Sequence, residues 1–222
     1  RDSYTLELTV ISMVVAIILS VILAIMRKSI NPVLRGVSWF FIWFFRGTPV
    51  YTQLIFWGLF AVLIPKISLG IPFTSVEFWS IDSNVVVTAF NAAWIGLALN
   101  EAAYLSEIVR AGLEAVDPGQ TEAAKALGMN RTLIMRRIVL PQALRTAVPA
   151  LSNSLIGMIK DTSLASNITV AELFMAGQRV AARTYIFLPI YCEVAVVYLL
   201  FCTVITKLQS LLQRRLNAHG FQ

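Results

Sequence analysis

The chain has 222 residues, of which 58% are hydrophobic and 14% are charged, and its mean hydropathy is +0.75. Soluble domains average about 25% charged residues, so this composition excludes a soluble monomer, a disordered protein and a small disulfide-bonded secreted domain. The formal net charge of +6 comes from Lys and Arg residues scattered between apolar runs, which excludes a basic nucleic-acid-binding module and favours a membrane protein.

Five segments are predicted to cross the membrane, because a helix needs about 20 apolar residues to span the hydrocarbon layer. Four are long apolar windows, and the other carries Lys160 and Asp161 within it. The second window extends back to residue 37 if Arg46 is tolerated in the membrane. In chain order, the segments are residues 8–26, 47–65, 83–100 with a helical continuation to 110, 146–171, and 184–206.

The basic residues predict how the chain is oriented. Segments 27–46, 110–145 and 207–222 hold thirteen of the 18 Lys and Arg residues. Because basic residues favour the cytoplasmic side of a membrane, these three segments are predicted to be cytoplasmic. We therefore expect a multi-pass protein of the cell membrane, with its N-terminus outside and its C-terminus in the cytoplasm. The connection 66–83 is then expected to lie partly in the outer interface.

The cytoplasmic segment between the third and fourth predicted spans is expected to form two short helices outside the bilayer. Asp117 followed by Pro118 is typical of a helix start, since Asp can cap and Pro suits the first helical position. Gly128 suits the left-handed residue that ends a helix. Asn130 can cap a second helix, which Pro141 is expected to break. From these signals alone, an ordinary structured loop and a rigid docking element both stay open.

The same segment resembles the EAA loop found in the membrane subunits of ATP-binding-cassette importers. The consensus of that loop is Glu-Ala-Ala, three residues, Gly, nine residues, and then I-x-L-P. Every fixed position is matched here, by Glu122, Ala123, Ala124, Gly128, Ile138, Leu140 and Pro141.

Other segments are similar to the polar amino acid branch of that family, which comprises the histidine, arginine, glutamine and glutamate permeases. These segments are residues 45–49, 101–112, 141–143 and 160–164, and the resemblance covers about residues 5–215. It implies the type I importer fold, an all-α integral membrane protein with five transmembrane helices and a cytoplasmic helix-turn-helix coupling loop. One transmembrane domain would then occupy residues 1–222 in a bacterial cytoplasmic membrane, with the coupling loop at 117–141 inside it.

In that family the EAA segment is the coupling helix that docks on a cytoplasmic ATPase. By resemblance, Glu122, Ala123, Ala124 and Gly128 form this contact, and Pro141 marks the return to the membrane. The implied partners are an ATPase dimer, a second permease subunit that is a copy or a relative of this chain, an external substrate-binding protein, and the lipid bilayer. ATP and Mg²⁺ are then bound by the ATPase and no cofactor by this chain, which has no G-x-x-x-x-G-K-[ST] motif.

Asp161 is the first candidate for a substrate contact, because a charged residue at the centre of a span costs about 2.5–3.5 kcal/mol on insertion scales. Asn153, Gly157, Asp161 and Ala165 recur at every fourth position, which predicts a small, polar stripe facing a cavity or the bundle interior. Lys160 lies about 100° around the helix from Asp161, so the two side chains need not pair.

An amino acid is a zwitterion, so its site needs a donor for the carboxylate and an acceptor for the ammonium group. Asp161 can accept from the ammonium group, with the hydroxyls of Thr162 and Ser163 nearby. The open alternative is that Lys160 and Asp161 only hold helices or subunits together. Glu172 is a weaker candidate, expected near the outer mouth of the pathway.

Two further groups of polar residues lie in the second and third spans. Asn100 and Glu107 share a helix face with Tyr104, and a salt bridge from Glu107 to Arg110 is favoured over a substrate contact. In the second span, Arg46 is expected to reach the cytoplasmic interface or to pair with an acidic residue. The structural motif that follows, with a predicted kink or close helix contact, comprises Gly47, Thr48 and Pro49.

Two other classes of function stay open from the residues alone. An integral membrane enzyme would use the carboxylates of Glu101, Glu107 and Asp161, whereas a passive channel or scaffold would need no chemistry. Against an enzyme, the cysteines form no C-x-x-C pair and the single histidine, His219, lies in the polar tail, so no metal site and no Ser-His-Asp set is predicted. The charges in the spans suit both cationic and acidic cargo, so the predicted substrate is a polar amino acid without a narrower assignment.

Overall fold

The computed structural model describes residues 3–70 and 77–218, so His219 lies outside the described residues. The chain is mostly helical and has one small antiparallel hairpin. The helices are α1 (Ser3–Arg27), α2 (Pro32–Gly47), α3 (Val50–Gly58), α4 (Phe60–Leu63), α5 (Ser83–Val86), α6 (Ala89–Glu114), α7 (Pro118–Ala126), α8 (Arg131–Ile134), α9 (Leu140–Asp161), α10 (Leu173–Thr184) and α11 (Phe187–Ala218). A π-helical segment (Met135–Val139) precedes α9, a 3₁₀ segment (Thr162–Ile168) follows it, and the strands are β1 (Lys66–Gly70) and β2 (Glu77–Asp82).

Helix α6 is the centre of the fold, because α1, α2, α3 and α9 all pack against it. Many of its buried residues are Ala, Gly or Ser, which let neighbouring helices approach closely. At Gly96, an added Cβ would lie only 2.9 Å from the side chain of Leu54 in α3. One apolar cluster of the core includes Leu8, Leu54 and Leu97, and another includes Leu105.

Two helices of the described residues are long and apolar enough to cross a membrane, as judged by length and composition. They are Tyr4–Arg27 in α1 and Phe187–Arg215 in α11, which correspond to the first and last predicted spans. Helix α1 packs along α6, whereas α11 contacts mainly α9 and α10 and leaves most of its apolar surface exposed. The third predicted span corresponds to α6, and the total of five spans stays a prediction.

The second predicted span is not one continuous helix. Helix α2 ends at Gly47, and Thr48 has an extended backbone with φ −112° and ψ 142° before α3 begins at Val50. Pro49 explains the break, because proline has no N–H to donate and disfavours helical backbone at the residue before it. The kink predicted at Gly47 and Pro49 is therefore confirmed, and it is a full interruption of the helix.

The fourth predicted span, residues 146–171, is α-helical only as far as Asp161. The chain then tightens into the 3₁₀ segment, in which the side chains of Thr162, Ser166 and Asn167 each donate to the carbonyl three residues earlier. Such side-chain bonds compete with the α-helical pattern and favour a tighter turn. Thr169 follows with a left-handed φ of 68°, and α10 begins after it. Helix α10 was not predicted from the sequence.

Pro141 does not end the second cytoplasmic helix, and that prediction is wrong. Helix α8 continues through the π-helical segment directly into α9, so that residues 131–161 form one helical rod. Proline lacks an N–H and its ring crowds the carbonyl four residues before it, and the wider π-helical turns accommodate both defects. The cytoplasmic segment is consequently continuous with the helix that ends at Asp161.

The connection between α4 and α5 contains a hairpin that the sequence analysis did not predict. Strands β1 and β2 pair antiparallel, with Lys66 opposite Asp82 and Leu69 opposite Trp79. The Asp82 carboxylate then accepts from the backbone N–H of Asn84 at 2.8 Å and caps α5. The hairpin forms part of the connection that was expected to lie at the outer interface.

Replacing Gly58 with alanine tests the packing of α3 against the 3₁₀ segment. An added Cβ would lie 2.6 Å from Cγ2 of Ile168, closer than carbon atoms approach. We expect Gly58→Ala to lower the free energy of unfolding by about 1–3 kcal/mol, measured by thermal unfolding of the purified protein. Gly36→Ala is the matched control, because nothing lies within 4 Å of its added Cβ. Equal unfolding temperatures for Gly58→Ala and the unchanged protein would contradict this packing.

Candidate functional site

A cavity of about 890 Å³ lies where the break between α2 and α3 meets α6 and α9. Its wall combines both signs of charge with small and polar residues. It therefore brings together side chains that are up to 115 positions apart in the sequence, from Arg46 to Asp161. The lining residues are Arg46, Gly47, Thr48, Pro49, Val50, Asn100, Glu101, Tyr104, Glu107, Ile108, Arg110, Ala111, Ser154, Gly157 and Asp161.

Two amides hold the break between α2 and α3 in place. The Gln53 Nε2 atom donates to the carbonyl oxygen of Phe45 at 3.1 Å and to the hydroxyl of Thr48 at 2.7 Å. The Asn100 Nδ2 atom on α6 donates to the same Phe45 carbonyl at 2.9 Å. These bonds satisfy backbone carbonyl oxygens that the broken helix leaves without a helical partner. Asn100 therefore links α6 to the end of α2.

Arg46 lies on the cavity wall with an exposed side chain. Its guanidinium carbon is 5.3 Å from the centre of the Tyr104 ring, a distance typical of a cation–π contact. Among the described residues, no carboxylate forms an ion pair with Arg46. The predicted ion pair is thus not formed among the described residues, and the guanidinium of Arg46 borders the cavity.

Three carboxylates border the cavity, and one of them is already paired. Glu107 Oε2 accepts from Arg110 Nε at 3.0 Å and from Arg110 Nη2 at 2.7 Å, and Arg110 also donates to Glu114 at 2.7 Å. The predicted salt bridge from Glu107 to Arg110 is therefore confirmed. Glu101 has one carboxylate oxygen, Oε1, that is buried with no hydrogen-bond partner in the described structure. Asp161 forms no ion pair among the described residues.

The predicted stripe on α9 reaches the cavity only in part. Gly157 and Asp161 line the cavity, but Ser154 joins them in place of Asn153, whose side chain is exposed outside it. Four residues turn a helix by about 400°, so a strict spacing of four drifts by about 80° over eight residues, whereas a spacing of seven returns to the same face. The spacing of seven residues between Ser154 and Asp161 could therefore have predicted that both face the cavity. Ala165 is buried in the apolar core.

Four other candidates lie outside this cavity. Thr162 is buried and donates its hydroxyl to the carbonyl of Ile159 at 2.6 Å. Lys160 and Ser163 line a second, mostly apolar cavity of about 730 Å³ between α9, α10 and α11. Glu172 is completely buried at the N-terminus of α10. The structure therefore places these four side chains outside the cavity that Asp161 lines.

The loop that is predicted to be cytoplasmic, residues 117–141, has the capped helices that the sequence predicts. Asp117 Oδ1 accepts from the backbone N–H of Gly119 at 2.8 Å at the start of α7, and Pro118 is the first residue of that helix. Gly128 ends the helix with a φ of 77°. Asn130 Oδ1 accepts from the N–H of Leu133 at 2.8 Å and caps α8. Both short helices of the loop therefore begin with the side-chain caps that the sequence predicts.

The residues exposed on α7 are not all those that the motif predicts for the contact with the ATPase. Ala124 is only 2% exposed and lies inside the loop, so it cannot form part of an outward contact surface in this conformation. Glu122, Ala123 and Ala126 are exposed. Leu127, which the sequence analysis did not single out, is 83% exposed at the C-terminal end of α7.

Comparisons with known proteins identify relatives of the whole chain. Residues 16–218 match the family described as binding-protein-dependent transport system inner membrane component. The chain is 44% identical over 212 residues to the arginine transport system permease protein ArgU of Corynebacterium glutamicum, covering 95% of this chain and 65% of ArgU. It is 38% identical over 217 residues to the L-cystine transport system permease protein TcyB of Bacillus subtilis, covering 97% of this chain and 85% of TcyB.

Solved structures with the same fold are also known. A chain from a crystal structure of an amino acid ABC transporter with histidines superposes with a TM-score of 0.78 and 33% identity, covering 95% of this chain and 90% of that chain. A chain of the MetNI methionine ABC transporter in an inward-facing conformation superposes with a TM-score of 0.74 and 19% identity, covering 96% of this chain and 93% of that chain. The second likeness concerns the fold alone.

Replacing Asn100 with alanine tests the tie between α6 and the helix break. The Phe45 carbonyl keeps its bond from Gln53, so we expect Asn100→Ala to lower the free energy of unfolding by about 1 kcal/mol, measured by thermal unfolding. Asn167→Ala is the matched control, because the Asn167 amide is exposed and donates only to the nearby carbonyl of Leu164. Equal losses in the two variants would contradict a tie specific to Asn100.

Proposed function

The chain belongs to the family of binding-protein-dependent transport system inner membrane components, and we propose that it is the permease subunit of an ATP-driven importer that carries a polar amino acid. Its relatives are named as permease proteins of arginine and L-cystine transport systems, and the chain is a transport subunit, not an enzyme. The substrate class rests on these names together with the chemistry of the cavity.

The proposed arrangement is a single transmembrane domain over residues 1–222 with five passes through the inner membrane. The passes are α1, α2 with α3, α6, α9 with α10, and α11, and the loop at 117–141 is cytoplasmic. This order supports an N-terminus outside and a C-terminus in the cytoplasm, because both the loop and the end of α11 are then on the basic side of the membrane. Helices α3 and α10 serve as the outer halves of two broken passes.

One observation carries the substrate assignment: a single cavity presents the guanidinium of Arg46 and the carboxylates of Glu101 and Asp161, and none of these three groups forms an ion pair among the described residues. An amino acid needs both, because its carboxylate requires donors and its ammonium group requires an acceptor. We assign the acceptor to Asp161 and the carboxylate donor to Arg46. Among the described residues, no side chain caps the first turn of α3 at Val50, so its N–H groups offer further donors beside Arg46.

The cavity is open on one side in the single chain, where Arg46 and Tyr104 are exposed. Charged groups at this depth of a bilayer are costly when they face lipid. We therefore propose that a second permease subunit, either a copy or a relative of this chain, covers the open side. The substrate would then pass between the two subunits as access alternates from outside to inside.

The cytoplasmic loop is proposed to transmit the motion of a partner ATPase. Helix α7 is capped at both ends, and α8 is continuous with α9 up to Asp161, so a displacement of the loop would reach the cavity along one continuous helical segment. We propose that Glu122, Ala123 and Leu127 form the docking face, with Gly128 shaping it. ATP and Mg²⁺ are bound by the ATPase, and an external binding protein delivers the substrate.

Replacing Asp161 with asparagine tests the substrate site. We expect Asp161→Asn to weaken L-arginine binding to the purified permease–ATPase complex by about 10- to 100-fold, because a hydrogen bond to a charged group is lost. The measurement is an equilibrium titration with radiolabelled L-arginine. Glu193→Gln is the matched control, since Glu193 is an exposed carboxylate on α11 away from the cavity. Undiminished binding by Asp161→Asn would contradict the assignment.

Replacing Leu127 with alanine tests the docking face of the cytoplasmic loop. We expect Leu127→Ala to raise the dissociation constant for the partner ATPase by about tenfold, since truncating a central apolar anchor typically costs more than 1 kcal/mol. Binding of the ATPase to the permease in lipid nanodiscs is the measurement. Ile30→Ala is the matched control, because Ile30 is 97% exposed in another segment predicted to be cytoplasmic. An unchanged dissociation constant for Leu127→Ala would remove Leu127 from the interface.

A further inference from the structure

Glu172 is the only carboxylate of the described residues that is completely buried, and it lines neither of the two large cavities. It lies where the chain leaves the 3₁₀ segment and enters α10. Burying a carboxylate is costly unless it is fully hydrogen-bonded, so its partners indicate what it does.

Both oxygens of the Glu172 carboxylate are occupied. Oε1 accepts from the backbone N–H of Met175 at 2.7 Å. Oε2 accepts from the backbone N–H of Phe174 at 2.7 Å and from the hydroxyl of Tyr198 on α11 at 2.9 Å. The carboxylate thus caps α10, where the positive end of the helix dipole also stabilises it, and it joins α10 to α11.

A third helix meets the same helix end. The backbone N–H of Leu173, the first residue of α10, donates to the hydroxyl of Thr5 on α1 at 3.1 Å. The two residues are 168 positions apart in the sequence. The N-terminus of α10 is therefore fastened to α1 by Thr5 and to α11 by Tyr198, and no free donor of its first turn is left for a ligand.

The fastened helix end is connected to the cavity by the 3₁₀ segment. Asp161 precedes this segment and Glu172 follows it, so the segment is held at one end by α9 and at the other by α10. Four of its residues are buried, namely Thr162, Ala165, Ser166 and Ile168, and Ile168 packs against Gly58 of α3.

We propose that Glu172 and Tyr198 are positioning residues for the cavity: their hydrogen bond fixes residues 162–172 and thereby the place of Asp161. Neither side chain touches the substrate in this proposal. The inference rests on the proposed role of Asp161 as the acceptor for the substrate ammonium group. Glu172 is then held at the N-terminus of α10, in the proposed outer half of the bundle.

The test is a double-mutant cycle with L-arginine binding to the full permease–ATPase complex. Tyr198→Phe removes the hydroxyl donor and keeps the ring. We expect it to weaken L-arginine binding by about three- to tenfold, in keeping with the modest strength of single hydrogen bonds between membrane helices. In an Asp161→Asn background the same change should have little effect, because Tyr198 acts through Asp161. Equal losses in both backgrounds would overturn the proposal.

Tyr191→Phe is the matched control. Tyr191 lies on the same helix, lines the same apolar cavity as Tyr198 and stacks on Phe174, but forms no hydrogen bond with Glu172. We expect this variant to bind L-arginine like the unchanged complex. If the unchanged complex binds none of the polar amino acids, the proposed function fails. Normal binding by both the unchanged complex and Tyr198→Phe contradicts the positioning role alone.

Hydrogen exchange gives a measurement that is independent of the substrate. In Tyr198→Phe, the backbone amides of residues 162–175 should exchange at least several-fold faster, because the N-terminus of α10 loses one of its fastenings. Tyr191→Phe should leave exchange in this range unchanged. If the amides of residues 162–175 exchange at the same rate in Tyr198→Phe as in the unchanged complex, the proposal is overturned.

Discussion

Backbone that leaves the helical conformation inside a bilayer must find its hydrogen bonds within the protein, because lipid tails supply none. Two of the proposed membrane passes are interrupted in this way, one between α2 and α3 and the other between α9 and α10. Gln53 and Asn100 satisfy the first interruption, and Glu172 and Thr5 satisfy the second. The bonds from Gln53 and Asn100 hold backbone that borders the cavity.

The interruptions also place polar groups where a continuous apolar helix could not. At the first, Arg46 and the uncapped start of α3 face the cavity; at the second, Asp161 ends α9 beside it. In the proposed site, the first break thus supplies the donors and the second supplies the acceptor that a zwitterionic cargo requires. Because α8 is continuous with α9, the proposed coupling would link movement of the loop to a change at Asp161.

Local chemistry decided which parts were predictable from the sequence. Capping residues such as Asp117 and the kink at Pro49 act through their neighbours, and both predictions were confirmed. Pro141 was misjudged because a π-helical turn can absorb a proline, which short-range rules do not reveal. Helix α10 was not predicted because it contains polar residues, which are unusual in a membrane span. It is held in place by bonds to α1 and α11, which patterns along the sequence do not reveal. The burial of Ala124 likewise depends on packing within the folded loop.

The central claim is that one cavity at the junction of two broken helices holds the transported amino acid. An electron cryomicroscopy map of the assembled transporter, with L-arginine present and ATP absent, addresses this most directly. The account predicts density for the amino acid in this cavity, with its ammonium group at Asp161 and its carboxylate toward Arg46. Lipid density in the cavity, or the amino acid bound elsewhere in the membrane subunits, would contradict the account.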